Sequence, residues 1–477
     1  MYISIAHNIT GKAENGETFI VHPKTRKMLK INSVTKEFLL FASSNNNSSI
    51  ELNTLINFFK RKYKISDEES ELLTFKLINY LYNEQLINID KDDNTSKKKV
   101  SIYDEKSILT AYLTLTRRCN ISCIGCTNQK NGEVNELSTD IWKRFIKQIS
   151  EWGVMDLYFL GGEPLLRKDC ITLLKEAENC GLPSNLYTNG LLLDENICNE
   201  LSKIDSLSVQ IYIPECSPNA YDSFMGTTNG FNQIIDIIKL LDKHNIRIGV
   251  ITRLKNDTIN QLDDFLRLLV NLNVTEWFPS IIIPVGCSAV QNVEEFNIDD
   301  ENFKKFTDEY FNLISVYKDV INIKGTFNIH IFQNKNVSWG NDPNPKKHYE
   351  PIVIYNNWIN IDSNGDLTPS YRLKGYSLGN IKNKTVNEML SDTDLINSQK
   401  RRIYKELQGK NIIDRCDNCD YIRICGGALP EISLTHLNLI NDWCDPVKCR
   451  FFHYGFQSLL DHSTPPSYDL LLKNVKN

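Results

Sequence analysis

The sequence predicts an α/β fold: a parallel sheet or barrel with helices outside, preceded by a small α+β module and followed by a cysteine-rich segment. Three observations predict it. From about residue 108 to 285, apolar stretches of strand length alternate with stretches of helical spacing, the pattern of βα units around a parallel sheet. Residues 1–90 instead place strands beside three helical stretches. Finally, eight of the 13 cysteines fall in two clusters, Cys119 to Cys126 and Cys416 to Cys449. A net charge of −5 gives no footprint for nucleic acid or an anionic membrane. No apolar run approaches the roughly 20 residues of a bilayer span. The start, MYISIAHNITGK, lacks the layout of a signal peptide. The expectation is a cytoplasmic protein with neither nucleic acid nor membrane as partner.

In the first module, ETFIVHPKTRKMLKIN reads as two strands around a polar turn. SVTKEFLLFASS starts on a serine cap, IELNTLINFFKRKY has helical apolar spacing, and SDEESELLTFKLINYLYNEQL carries a Ser-Asp start and a long apolar stripe. A short strand, INI, closes a winged-helix-like unit. Residues 91–107 are polar and charged and read as a linker. The core domain is expected over 108–300 and the cysteine-rich domain over 301–477. Within the core, LTAYLTLT, MDLYFLGGEP, SNLYTNG, SLSVQIYI, IRIGVITRL and EWFPSIIIPVG read as strands with helices between. The CxxxCxxC, the GGEP and the TNG all fall at carboxyl ends of strands, where functional groups of such folds gather. Further on, WINIDSNGDLTPSYRLKGYSLGNI reads as short strands joined by glycine turns.

In a reducing compartment, clustered cysteines more often bind metal or do redox chemistry than form disulfides. Cys170, Cys180, Cys198, Cys216 and Cys287 are scattered and read as small buried hydrophobes. Thiolates bind zinc or iron–sulfur clusters. A structural zinc site wants four protein ligands, whereas Cys119, Cys123 and Cys126 offer three with no fourth nearby. A cubane held by three cysteines leaves one iron for another ligand.

CxxxCxxC after the first strand, with GGEP (Gly161, Gly162, Glu163, Pro164) at the end of the next, resembles the signature of radical S-adenosylmethionine (SAM) enzymes over roughly 108–290. The resemblance implies a partial (β/α)6 barrel. It implies a 4Fe–4S cluster on Cys119, Cys123 and Cys126, with SAM on the open iron. The strand end at Gly161–Glu163 would bind the SAM amino group. Here Gly125 stands where the family usually has an aromatic, and Gln210 and Tyr212 stand near its usual Ser or Thr. Asn189 is either a further SAM contact or a turn-forming Asn-Gly.

The second cluster, CDNCDYIRICGG with DWCDPVKC, fits zinc by spacing alone. Beside the first cluster it resembles the SPASM extension of peptide-modifying radical SAM enzymes. Ser370 and Leu429 stand where that extension usually has cysteines. The resemblance then implies one auxiliary 4Fe–4S cluster on Cys416, Cys419, Cys425 and either Cys444 or Cys449. The first module resembles the recognition element of ribosomal-peptide maturases, which binds a leader peptide as an added strand. Together these imply a maturase of a precursor peptide that forms an intrapeptide thioether, as in sactipeptides. A flavodoxin or ferredoxin type protein would supply electrons. Carbon–carbon crosslinking, epimerisation and sulfatase-type maturation share the same machinery. A metal-binding DNA regulator is the alternative outside enzymes, and it leaves GGEP without a role.

Overall fold

The computed structural model describes residues 1–14, 16–22, 28–44, 49–91, 98, 100–103, 110–124, 126, 136–256, 258–281, 298–324, 358–419, 434 and 448–455. The amino-terminal module is built of β1 (Tyr2–Ile5), β2 (Ile9–Glu14), β3 (Glu17–Val21), β4 (Met28–Ile31), α1 (Ser33–Ser44), β5 (Ile50–Glu51), α2 (Leu52–Tyr63), α3 (Asp67–Asn83), β6 (Ile87–Asp90) and β7 (Val100–Tyr103). One sheet has the order β5-β1-β6, the other β4-β3-β2-β7. Ile3, Ile20, Phe38, Leu39, Leu55, Phe59 and Leu81 close a core of their own beneath these sheets.

Helix α3 starts on a capping box of Ser66 and Glu69, as its sequence suggests. The start of α1 differs: Asn32 Oδ1 accepts from the Thr35 amide at 2.8 Å, so Asn32 and not Ser33 caps it. The stretch read as a linker contains a strand. Val100–Tyr103 pairs in parallel with β2, and Tyr103 donates to the Ser150 carbonyl of the core. Asn8 donates to the Glu178 carbonyl at 2.8 Å and Thr10 to that of Gly181 at 2.5 Å. The module is thus hydrogen-bonded to the core domain.

The core runs β8 (Thr110–Thr116), α4 (Thr139–Trp152), β9 (Asp156–Gly161), a 3-10 turn at Pro164–Leu166, α5 (Cys170–Asn179), β10 (Ser184–Thr188), α6 (Glu195–Leu201), β11 (Leu207–Tyr212), α7 (Pro218–Met225), α8 (Gly230–Lys243), β12 (Arg247–Leu254), α9 (Leu262–Asn271), β13 (Glu276–Ile281), α10 (Asp300–Tyr317) and β14 (Asn322–Ile323). Strands β8 to β14 pair in parallel in sequence order, the βα barrel type expected. The sheet runs on past residue 300, since β14 pairs with β13.

Strand parity divides the sheet. Leu113, Phe159, Leu186, Val209, Ile211, Val250 and Trp277 pack into the large core. The alternate residues face the other way. They include Tyr112, Tyr158 and Tyr187, whose rings form a row with centroids 4.8 and 5.6 Å apart.

The carboxy-terminal segment enters the same sheet. β15 (Trp358–Ile361) pairs in parallel with β8, then β16 (Asp366–Thr368) and β17 (Gly379–Asn380) follow antiparallel. Helices α11 (Val386–Leu390), α12 (Thr393–Gly409) and α13 (Ile412–Asp417) come next. Arg144 of α4 donates to the Ile381 carbonyl at 2.9 Å, and the Val386 amide donates to Gln148 at 3.1 Å. Among the described residues no helix is long and apolar enough to cross a membrane.

Candidate functional site

The cysteine loop leaves β8 at Thr116 and is anchored at once by charge. Arg118 reaches Glu136 through Nε at 2.9 Å and through a terminal nitrogen at 3.1 Å, a bidentate pairing. Arg167, nearly buried, joins Glu136 at 3.2 Å and Asp169 at 2.7 Å. Burial works against ionisation of Glu136, but Arg118, Thr116 and Arg167 together outweigh it and hold its carboxyl below the usual range. Arg117 pairs with Asp362 at the end of β15. None of these partners lies near the motif in sequence, and no local signal marks them.

The end of β9 is zipped to the same loop. The Gly162 amide donates to the Thr116 carbonyl and the Glu163 amide to that of Arg118, each at 2.8 Å. A Cβ on Gly161 would lie closer than 3.0 Å to the Thr116 carbonyl oxygen, and one on Gly162 closer than 3.0 Å to that of Arg118. The two glycines therefore serve close backbone approach.

Glu163 is fully buried. Its Oε1 accepts from Thr188 Oγ1 at 2.8 Å and the Leu165 amide at 3.0 Å, and its Oε2 accepts from the Asn189 amide at 2.9 Å. Burial pushes its carboxyl up, against the pull of these donors. Glu163 is thus a brace between the rims of β9 and β10. Both of its oxygens receive amide donors, so an amide NH2 at either place faces an N–H. Glu163→Gln is expected to cost about 1–3 kcal/mol, read from thermal unfolding against wild type. Pro164 opens the 3-10 turn behind it.

Asn189 makes the turn contact expected of an Asn-Gly and also reaches the cysteine loop. Its Oδ1 accepts from the Leu191 amide at 3.1 Å, a turn contact, while its Nδ2 donates to Asn120 Oδ1 at 2.8 Å and lies 3.9 Å from Cys119 Sγ. TNG and the first cysteine are thereby brought together. Tyr212, the last residue of β11, packs edge-on against Phe224. Burial pushes its phenol up against the opposing pull of Arg253. Gln210 lies deeper in the sheet than Tyr212. Its Nε2 donates to Ser208 at 2.9 Å and, across Gly249 of β12, to Glu276 at 3.2 Å. Two residues at about 3.3 Å each separate it from the rim, so the structure gives it no place beside the cysteines.

Helix α7, absent from the sequence reading, holds the outer side of the loop. The Ile124 amide donates to the Phe224 carbonyl at 2.9 Å, and a Cβ on Gly226 would meet the Ser122 carbonyl at 3.3 Å. Its signals were present: Ser217-Pro218 at the start and Gly226 in the left-handed region after the end.

Cys119, Cys123 and Cys126 are all partly buried on this one loop. Among the described residues no three His, Cys, Asp or Glu side chains converge as ligands of a single metal ion. A cubane takes each thiolate on a separate iron, so it does not require such convergence. With the glycine cradle beside them, the donor set fits a 4Fe–4S cluster and a small molecule bound at the β9 rim.

In the second cluster, Cys416 is buried in α13 and Cys419 is partly buried one turn later. Cys449 is partly buried against the large core. Cys425, Cys444 and Leu429 lie outside the described residues, as do Gly125 and Cys287. Ser370 is buried, and its hydroxyl accepts from the Arg372 amide at 3.3 Å, the role of a turn serine. Of the scattered cysteines, Cys170 and Cys198 are buried and Cys180 and Cys216 partly so.

Residues 113–269 match the model of the radical SAM superfamily, and residues 354–420 match that of the SPASM iron–sulfur cluster-binding domain. A PqqA peptide cyclase of Bradyrhizobium diazoefficiens is 29% identical over 167 residues, 35% of this chain and 44% of that protein. The match thus spans less than half of that relative's length. An AdoMet-dependent heme synthase of Methanosarcina barkeri is 24% identical over 324 residues, 66% of this chain and 89% of that protein. Among solved structures, Streptococcus suis SuiB bound to S-adenosylmethionine superposes with a TM-score of 0.58 at 14% identity, covering 93% of this chain and 98% of SuiB.

Proposed function

We propose that this chain, which carries a radical SAM domain and an SPASM domain and takes SAM and 4Fe–4S clusters as cofactors, is a maturase of a ribosomally made peptide. The observation that carries the reading is a module with an unpaired strand edge, hydrogen-bonded to the domain that bears the cysteine loop. β4 is an outer strand of its sheet among the described residues, and an extended leader peptide adds there by main-chain hydrogen bonds. Leu72, Phe75 and Tyr82, exposed on α3, offer apolar surface on the same module. SuiB, of similar fold over nearly its full length, has been solved bound to its precursor peptide SuiA.

Bound SAM and its cluster supply, on one-electron reduction, a 5′-deoxyadenosyl radical that removes a hydrogen atom from the peptide. Cys119, Cys123 and Cys126 would hold the cluster, and Gly161–Glu163 would receive the SAM amino group. Glu163, Asn189 and the Arg118–Glu136 pair keep the loop and the two strand ends in register. Cys416 and Cys419, with Cys425 and Cys444 or Cys449, would hold one auxiliary cluster. The bond proposed is a thioether from a peptide cysteine sulfur to a Cα. It replaces an S–H and a C–H by an S–C bond. One hydrogen would leave on 5′-deoxyadenosine and one as a proton, and an auxiliary cluster on these cysteines would supply an acceptor for the remaining electron. A flavodoxin or ferredoxin type protein would supply the priming electron.

The test uses anaerobically reconstituted protein with SAM, dithionite and a cysteine-containing precursor peptide. Expected are 5′-deoxyadenosine and a peptide that loses two hydrogens in mass and one thiol to alkylation. Both should vanish in a Cys119/Cys123/Cys126→Ala variant. The same mass loss with every thiol still alkylated would replace the thioether by a carbon–carbon crosslink. An unchanged mass with deuterium taken up from D2O would replace it by epimerisation. 5′-Deoxyadenosine with every candidate peptide unaltered would move the substrate away from peptides.

A further inference from the structure

Tyr221 is fully buried on α7, and its hydroxyl has no hydrogen-bond partner among the described residues. A buried O–H left unpaired costs free energy that phenylalanine would avoid. The ring itself needs no hydroxyl, since it packs edge-on against Phe231 with centroids 5.6 Å apart. The position of α7 gives the hydroxyl a purpose. The helix hydrogen-bonds the cysteine loop at Ile124 and lies against it at Ser122, the two neighbours of Cys123. Cys123 packs against the same core as Tyr221.

We infer that the Tyr221 hydroxyl donates a hydrogen bond to the Cys123 thiolate once that thiolate ligates the cluster. The inference rests on the reading that Cys119, Cys123 and Cys126 hold a 4Fe–4S cluster. A donor to a cluster sulfur favours the reduced, more negative state and raises the reduction potential. Tyr221 is then a positioning and tuning residue. It touches neither SAM nor peptide, yet it sets how easily the cluster accepts the electron that SAM cleavage requires.

The experiment is an EPR-monitored redox titration of the reconstituted full-length protein. The relevant cluster is identified as the one whose signal changes on adding SAM. In Tyr221→Phe, with iron and sulfide content equal to wild type, the midpoint should move to more negative potential. At a fixed potential on the titration slope, the ratio of reduced to oxidised cluster should fall about tenfold. An exchangeable proton coupled to the reduced cluster, seen by ENDOR in H2O and lost in D2O, should disappear in the same variant. Should Tyr221→Phe fail to load iron, 3,5-difluorotyrosine placed at 221 keeps the ring and strengthens the donor, and the midpoint should rise. A loaded Phe variant with wild-type potential and proton coupling overturns the inference, as does a fluorotyrosine protein with no rise. A wild type without any SAM-responsive cluster overturns it together with the cluster reading, and that outcome is visible before any variant is made.

Discussion

Alanine in place of Gly162 is expected to lower 5′-deoxyadenosine formation about a hundredfold. The new Cβ would fall on the Arg118 carbonyl, with the Arg117 carbonyl also within 3.0 Å. These are backbone atoms of the cysteine loop's first residues, so no side chain can swing away. The 2.8 Å bonds from the Gly162 and Glu163 amides to Thr116 and Arg118 must lengthen to admit a methyl group. The loop and the β9 rim then separate by a fraction of an ångström to an ångström. A displacement of that size at a reacting centre is worth about 10²-fold, and overpacking adds about 1–3 kcal/mol of lost stability. The measurement pairs SAM turnover with thermal unfolding. Gly409→Ala is the control: nothing lies within 4 Å of its Cβ, at the end of α12, so it should leave both readings unchanged or slightly raise stability. Wild-type turnover in Gly162→Ala would remove the β9 rim from the reaction site.

The second large effect is expected at Glu276, far from the cysteines. It is almost fully buried at the start of β13 and is held by Arg247 at 2.7 Å and Lys324 at 2.6 Å. Burial works against its ionisation, but Lys324 and Arg247 prevail and bring its carboxyl down to about 2 from an ordinary 4.5. A carboxyl lowered on folding stabilises the protein above its unfolded value and loses that contribution as pH falls through the folded one. Its share, about 3 kcal/mol, should be complete above pH 4.5 and fade toward pH 2. Glu276→Gln leaves Arg247 and Lys324 without their shared anion and should cost about 3–5 kcal/mol at neutral pH. Urea unfolding at several pH values reads both. The variant's deficit should shrink as the pH is lowered; a deficit constant with pH would deny the ion cluster its role.

How much of this was legible in the sequence depended on the range of the interaction. The strand–helix alternation and the Ser66 cap are local, and the elements followed from them. CxxxCxxC, GGEP and TNG were placed together because each follows a strand in a parallel sheet. The contact of Asn189 with Asn120 and Cys119 rests on that topology. Strand parity alone did not place Gln210. It puts Gln210 and Tyr212 on one face, but Gln210 lies two residues deeper, and Glu276, 66 positions later and level with it across Gly249, takes its amide. The Glu136 and Arg167 anchors, Asp362 on Arg117, and β7 in the supposed linker are all fixed by partners distant in sequence. Short elements with weak apolar patterns, such as α7 and β7, were lost for the same reason.

The insertion of β15 beside β8 bears on how the gene product can be cut. β8 would otherwise be the outermost strand of the seven-stranded parallel run from β8 to β14, with a row of unpaired amides and carbonyls directly under the cysteine loop. An uncovered flat edge of that kind invites pairing with other chains. A chain shortened to end before Trp358 is therefore expected to self-associate rather than persist as an independent barrel. The carboxy-terminal segment is in this sense a permanent cover for that edge.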